Sequence, residues 1–195
     1  MNFEQWRHGA RAWLFHFIGK GDLAYEEYAI AFRHAPSASA ASNLGFIAAK
    51  REHFPDAVRW FEQASVMAPE DAEIWFNLGF VRERNGQRAE AITAFREAVR
   101  LNPSQDRAWY GLGLTLAQLG QHGDAALAFE EAARLQPMNG EAWYHLGMAQ
   151  HLAHNPERAR QVIEHLRSFE PKRSNQLIRE TGRSDLTHLI QELPF

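Results

Sequence analysis

The chain has 195 residues, 45% of them hydrophobic, a net charge of −3 and no cysteine. This composition is sufficient for a substantial core, and the absence of cysteine excludes disulfides, thiolate metal sites and a cysteine nucleophile. The acidic balance argues against nucleic acid as the main partner, because phosphate binding requires a clustered positive surface.

The N-terminal segment is predicted to be an amphipathic helix. Its apolar face contains Phe3, Trp6, Ala10, Trp13, Leu14 and Phe17, and its polar face Glu4, Gln5 and His8. No secretory signal is expected, because Arg11 and His16 interrupt the apolar stretch and no cleavage site of small residues follows. Two alternatives remain open: a half-buried first helix of a repeat, or a sticky edge that docks on a membrane surface or in a neighbouring molecule's groove.

From residue 38 onwards the sequence repeats every 34 residues, beginning with the dipeptides Leu44-Gly45, Leu78-Gly79, Leu112-Gly113 and Leu146-Gly147. The same register contains Trp75, Trp109 and Trp143; Ala57, Ala91, Ala125 and Ala159; Phe61, Phe95 and Phe129; and Pro69, Pro103, Pro137 and Pro171. Each copy holds two apolar stripes at helical spacing, which predicts two antiparallel helices. A glycine inside a helix costs about 1 kcal/mol relative to alanine. The repeated glycine therefore indicates close approach of a second helix, and we expect the recurring alanine to be its partner.

The pattern W-x2-L-G, then A-x3-F, then P, at a period of 34, resembles the tetratricopeptide repeat family. Full copies span residues 38–71, 72–105, 106–139 and 140–173, and a degenerate copy covers 5–37. The resemblance implies an all-α fold, a right-handed α-solenoid of antiparallel helix pairs stabilised by stacking of neighbours. Asn85-Gly86 and Leu119-Gly120 are predicted to form turns inside copies. Glu52 and Pro55 disturb this turn in the first copy, and His154 and Pro156 replace the expected turn residues in the last. We expect one domain over residues 1–195.

The C-terminal residues 174–195 leave the repeat register and are predicted to form a cap. Leu177 and Ile178 indicate a short helix ended by Gly182, and Ser184-Asp185 is a candidate cap for a second helix over residues 186–193. We expect this tail to cover the exposed face of the last copy. Failing that, it makes an intermolecular contact.

The resemblance also implies a concave groove lined by the first helices of successive copies. Carried over position by position, the groove residues are Trp13, Asn43, Phe46, Phe76, Asn77, Phe80, Arg84, Tyr110, Leu114, Tyr144, His145 and Met148. The family's carboxylate clamp, which binds a terminal carboxylate, is not expected. Counted from the first residue of each full copy, it requires lysine at position 5 and asparagine at position 9, and no copy has either. Aromatic rings with asparagine between them suit an amphipathic helix or an extended peptide instead. Two alternatives are that the rings pack between adjacent first helices, or that the chain's own tail fills the groove.

Neither a catalytic site nor a cofactor or metal site is predicted, and we expect a non-enzyme. His151 and His154 lack a third ligand, and no glycine-rich phosphate loop occurs. The sequence therefore predicts a cytoplasmic scaffold or adaptor that binds a peptide or amphipathic helix of a partner protein. The alternative is a self-assembling structural protein or a secretion-type chaperone whose terminal helices dock in neighbouring grooves, which leaves a homo-oligomer open. A membrane contact is expected only indirectly or through the N-terminal helix, since no apolar run is long enough to span a bilayer.

Overall fold

The computed structural model describes residues 3–191, apart from the side chains of Phe3 and Gln5. Eleven α-helices and a final 3₁₀ helix occupy this range, and no strand occurs in it, which confirms the all-α prediction. The helices are α1 (Phe3–Phe17), α2 (Gly21–His34), α3 (Ala38–Lys50), α4 (Phe54–Met67), α5 (Ala72–Arg84), α6 (Arg88–Leu101), α7 (Asp106–Gln118), α8 (His122–Leu135), α9 (Gly140–Leu152), α10 (Pro156–Phe169), α11 (Pro171–Glu180) and the 3₁₀ helix η1 (Ser184–Leu189).

The chain divides into two compact units, Met1–Asn102 and Pro103–Phe195, called here the N-terminal and C-terminal units. Within the N-terminal unit α1 packs on α2, α3 on α4 and α5 on α6; within the C-terminal unit α7 packs on α8 and α9 on α10. The helices α3, α5, α7 and α9 begin at the first residues of the four predicted full copies. Each copy is therefore one helix pair, while a single domain for the whole chain stays a prediction.

In the first three full copies the repeated glycine of the first helix lies against a phenylalanine of the second helix. A Cβ atom on Gly79 would lie 2.8 Å from the ring of Phe95, and one on Gly113 would lie 2.7 Å from the ring of Phe129. The expectation that the recurring alanine is the partner is wrong, because the atoms nearest to these glycines all belong to the phenylalanine rings. The phenylalanine follows the recurring alanine by four residues on the second helix, and its ring packs against the backbone of the glycine. The glycine therefore leaves room for an aromatic side chain.

The turns inside the repeats share one backbone conformation. Gly86 and Gly120 have φ angles of 79° and 74°, which confirms the turns predicted there. Glu52 and His154 adopt nearly the same conformation, with φ angles of 61° and 59°. The turn geometry therefore persists where the sequence departs from glycine, at a steric cost to the two non-glycine residues.

Helix α1 packs on α2 as the first helix of the degenerate repeat, but its buried face is not the apolar one. His8 is buried and its Nδ1–H donates a 2.5 Å hydrogen bond to the carboxylate of Glu27, which also pairs with Arg11 at 2.9 Å. Ala12 next to this polar cluster is fully buried, whereas Phe17 on the predicted apolar face is 77% exposed. The small alanine and the buried ion pair bring this face of α1 onto α2, and the large rings are left on the surface.

The C-terminal tail covers the last repeat, as expected. Helix α11 packs on α9 and α10, and the buried side chain of Leu177 lies against Gly147, where other repeats place a phenylalanine. The second predicted helix is wrong in extent and in its cap: η1 ends at Leu189, and Asp185 pairs with Arg183 instead of capping. Residues 192–195, including Leu193, lie outside the described range.

A tryptophan closes the linker between consecutive helix pairs. The indole N–H groups of Trp75, Trp109 and Trp143 donate to the carbonyl oxygens of Pro69, Pro103 and Pro137, at 2.8, 2.9 and 2.9 Å. Each of these linkers has four residues, whereas the linker between α2 and α3 has three. After that shorter linker, Ala41 of α3 takes the position that tryptophan has in the later copies.

Candidate functional site: an apolar cavity in the N-terminal unit

Four of the predicted groove residues meet at an apolar cavity between α3 and α5. The cavity has a volume of about 470 Å³ and is lined by Phe46, Ala49, Lys50, Phe61, Phe76, Asn77, Phe80 and Val81. Phe46 and Phe80 are 50% and 43% exposed, whereas Phe61 is buried. The volume falls within the roughly 300–1,000 Å³ typical of ligand sites, and the lining is largely apolar, as such sites usually are.

Helical spacing brings these side chains to one surface. Phe76 and Phe80 are one turn apart on α5, and Phe46 and Lys50 are one turn apart on α3, so each pair shares a helix face. The ring of Phe76 also meets the core ring of Phe95, with centroids 6.1 Å apart. The same contacts that hold α5 on α6 therefore keep the cavity wall in place.

The guanidinium of Arg84 lies at the edge of this cavity. It sits 6.0 Å from the ring centroid of Phe80 and 4.9 Å from that of Phe54 on α4. Both distances are in the range of cation–π attraction. Arg84 thus adds a positive charge next to exposed aromatic surface.

Trp13 and Asn43 belong to a different cavity of the same unit. This second cavity, about 380 Å³, lies among α1, α2 and α3 and is more polar, with Ser37 and Ser39 in its lining. The ring of Trp13 stacks on Phe17, with centroids 5.6 Å apart. The structure therefore does not bring these two predicted residues to the cavity between α3 and α5.

The predicted residues of the C-terminal unit form a more closed cluster. The ring of Tyr110 contacts Phe129 and His145, both at 5.7 Å, and Phe129 stacks on His145 at 5.4 Å. Burial raises the pKa of Tyr110 and lowers the pKa of His145. Tyr110 therefore packs between the first helices α7 and α9, in agreement with the first alternative for the groove rings.

Tyr144 contacts the chain's own tail. Its hydroxyl donates a hydrogen bond to the carboxylate of Glu180 on α11, and Arg173 lies 5.7 Å from its ring while pairing with Glu141. Burial, followed by the bond to Glu180, raises the pKa of Tyr144 to about 12. At this position α11 contacts one predicted groove residue, and filling of the groove by the tail stays a prediction. The last two predicted residues, Leu114 and Met148, are half-buried on α7 and α9.

Four lining residues are absent from the list of predicted groove residues: Lys50, one turn from Phe46 on α3, and three others, each for an identifiable reason. Phe61 belongs to the phenylalanine that repeats in every full copy but the last, and it lies on a second helix, whereas the groove was expected to be lined by first helices. Ala49 and Val81 lie beside Phe46 and Phe80 on their helices, so extending the predicted face by one residue would have found them.

Within residues 3–191, no three histidine, aspartate or glutamate side chains come together in a way that could hold a metal ion. In the same range, no helix combines the length and apolar character needed to cross a bilayer.

Helix pairs in which glycine, phenylalanine and tryptophan recur every 34 residues define a helical repeat protein. The tetratricopeptide repeat family model matches residues 43–86, 81–137 and 113–169. The chain therefore belongs to the tetratricopeptide repeat family. No protein of curated function matches the sequence significantly.

Several solved structures have the same fold. MamA from Desulfovibrio magneticus RS-1, residues 41 to the end, is 19% identical with a TM-score of 0.77, over 92% of this chain and 98% of that one. YrrB, described as a TPR protein with an unusual peptide-binding site, is 22% identical with a TM-score of 0.78, over 90% of each chain. A tetratricopeptide repeat protein from Parabacteroides merdae ATCC 43184 is 16% identical with a TM-score of 0.78, over 98% of this chain and 82% of that one.

Proposed function

We propose that this protein is a non-catalytic adaptor whose N-terminal unit binds a peptide or amphipathic helix of a partner protein in the cavity between α3 and α5. Tetratricopeptide repeat proteins are generally non-catalytic scaffolds that bind peptide or protein partners. One observation carries the proposal for this chain: Phe46 and Phe80 are large, half-exposed rings that line a largely apolar cavity. The cytoplasm remains our expectation for the compartment.

The physical basis is the burial of apolar surface. Aromatic side chains bury large areas on binding and are enriched among the residues that dominate interface energetics. Asn77 in the lining supplies a donor and an acceptor for a partner's backbone groups. The presence of a peptide-binding site in YrrB, a structural neighbour, supports the same use of the fold.

The test is a double variant of the two exposed rings, Phe46→Ala with Phe80→Ala. Peptides selected from a phage-displayed library on the unaltered protein should bind the variant at least about tenfold more weakly, as expected for loss of central aromatic contacts. Binding is measured by fluorescence anisotropy, together with pull-down of native partners from cells. The control is Val66→Ala with Met67→Ala on α4, since both residues are exposed but lie outside the cavity. Equal affinity of the two double variants, with both folded, would rule out the proposal.

Self-assembly is a second candidate, because α1 leaves Trp13, Leu14 and Phe17 exposed on one side of the unit. The C-terminal helix does not support it, since Leu177 and Ile178 are buried in their own chain. Light scattering separates the two functions: a mass of 22.3 kDa that does not change with concentration contradicts self-assembly.

A further inference from the structure

Two basic side chains border the cavity between α3 and α5. Lys50 is the last residue of α3 and lines the cavity, and Arg84 is the last residue of α5 and lies over the ring of Phe80. The two residues occupy the same position in consecutive repeats. The cavity therefore has positive charge at the end where both first helices terminate.

Neither basic group has a carboxylate partner within the part of the chain that the structure describes. Most arginines of the N-terminal unit do have one: ion pairs form between Arg7 and Glu4, Arg11 and Glu27, Arg51 and Asp22, Arg59 and Asp56, Arg82 and Glu62, and Arg100 and Glu97. Arg84 makes only its contacts with aromatic rings. The charge of Lys50 and Arg84 beside the cavity is thus not neutralised by a described side chain, unlike the charge of these six arginines.

Glu83, the carboxylate next to Arg84 in sequence, is half-buried, whereas Arg84 is exposed. On α5, Asn77, Phe80 and Arg84 lie along one face at spacings of three and four residues. Glu83 is one residue from Arg84, which places it about 100° away around the helix. Relative to Phe80, Glu83 lies on the side of Phe76 and Arg84 on the side of Asn77, so the positive charge is on the Asn77 side of the row.

We infer that the partner segment bound in this cavity carries acidic side chains beside its apolar anchor, and that these carboxylates pair with Lys50 and Arg84. The inference rests on the proposed function and adds the partner's chemistry and direction: its acidic end lies toward the C-terminal ends of α3 and α5. A cation in the last turn of a helix also stabilises the helix dipole. That role requires nothing of a ligand, so measurements of binding and of stability separate the two.

The test uses one phage-selected apolar peptide that binds the cavity, synthesised with two glutamate, two glutamine or two lysine residues on either side of the anchor. We expect the glutamate form to bind more tightly than the glutamine form for only one of the two placements of the acidic residues. The gain in affinity should be roughly two- to fivefold per carboxylate. The difference should disappear in 1 M NaCl, where the Debye length is about 3 Å. Lys50→Gln with Arg84→Gln should reduce the affinity of the glutamate peptide to that of the glutamine peptide.

Arg96→Gln is the matched control, because Arg96 is exposed on α6, outside the cavity. It should leave all affinities unchanged. Two results together would overturn this inference and leave the proposed function standing. The peptides would lose binding to the Phe46→Ala, Phe80→Ala variant, and the glutamate, glutamine and lysine forms would bind the unaltered protein with equal affinity. If that variant binds every peptide normally, or no peptide is enriched, the proposed function itself fails. An unchanged peptide affinity with a lower unfolding free energy in the Lys50→Gln, Arg84→Gln variant would assign both cations to helix stability alone.

Discussion

At Gly79 and its counterparts the glycine side chain, a single hydrogen atom, allows two helices to pack closely. The ring of Phe95 is placed where a side chain on Gly79 would begin, and the same contact joins Gly45 to Phe61 and Gly113 to Phe129. The helix accepts the conformational cost of glycine because it gains the burial of a complete aromatic side chain.

Substituting alanine for this glycine should therefore destabilise the protein. Gly79→Ala places a methyl group 2.8 Å from the ring of Phe95, and overpacking of this kind typically costs about 1–3 kcal/mol, partly offset by better helix propensity. We expect a net loss of about 1–2 kcal/mol in urea unfolding followed by circular dichroism. Gly9→Ala on α1 is the control, since a Cβ there meets no atom within 4 Å, and it should be neutral or stabilising by up to about 1 kcal/mol. A Gly79→Ala protein as stable as the original would contradict this explanation of the repeated glycine.

At the turn containing Glu52, substitution by glycine should stabilise the protein. Its φ of 61° lies in the left-handed region, which costs a non-glycine residue about 1–2 kcal/mol. Glu52→Gly should raise the unfolding free energy by about 0.5–1 kcal/mol after allowing for the greater freedom of glycine in the unfolded chain. Glu26→Gly inside α2 makes the same chemical change in a helical conformation and should lower it by about 1 kcal/mol. Equal effects in the same urea experiment would show that the turn is not strained.

At the scale of the secondary-structure element, α11 replaces a missing part of the repeat. The last copy has Ile163 where the others have phenylalanine, and Leu177 from α11 lies against Gly147. The repeat pattern alone could not have predicted this contact, because α11 follows the two helices of the last full copy and lies outside the 34-residue register.

Truncating this contact should destabilise the C-terminal unit. Leu177 is fully buried, and removing such a side chain to alanine usually costs about 2–5 kcal/mol. Leu127→Ala, at an exposed position of α8, is the matched control and should stay within about 0.5 kcal/mol of the original. Thermal and urea unfolding of both variants measure the difference. A small effect of Leu177→Ala would mean that α11 is a dispensable appendage.

The elements that the sequence predicts well are those inside the 34-residue register. The limits of α3 to α10 follow from the repeated positions, and the same register predicted that Phe46, Phe76 and Phe80 share a surface. The buried face of α1 was not predictable in this way. It depends on the pairing of His8 with Glu27, nineteen residues away, and a local hydrophobic pattern contains no information about that contact.

For the molecule as a whole, the division into two compact units bears on how stability is distributed. In a repeat protein each pair contacts mainly its neighbours, so stability is close to a sum of local terms. A perturbation in one unit is then expected to act chiefly within that unit.

Mirrored substitutions of equivalent buried leucines test this distribution. Leu78→Ala and Leu146→Ala should each cost about 2–5 kcal/mol. Hydrogen exchange measured by mass spectrometry is expected to show the larger loss of protection in Met1–Asn102 for the first variant and in Pro103–Phe195 for the second. A uniform loss across the chain in both variants would show one cooperative body, which is the single domain expected from the sequence.

The bond from each tryptophan to its proline carbonyl has a consequence for how such a chain can change length. The indole N–H spans six residues from Trp75 back to Pro69, and the same six from Trp109 to Pro103 and from Trp143 to Pro137. An inserted or deleted residue in that stretch would break the hydrogen bond, so the bond fixes the number of residues in the linker. The one linker that is a residue shorter is also the one where alanine stands in place of tryptophan. Indels in this family should therefore accumulate in linkers that have lost the ring, and the constancy of the 34-residue period follows from the linkers that kept it.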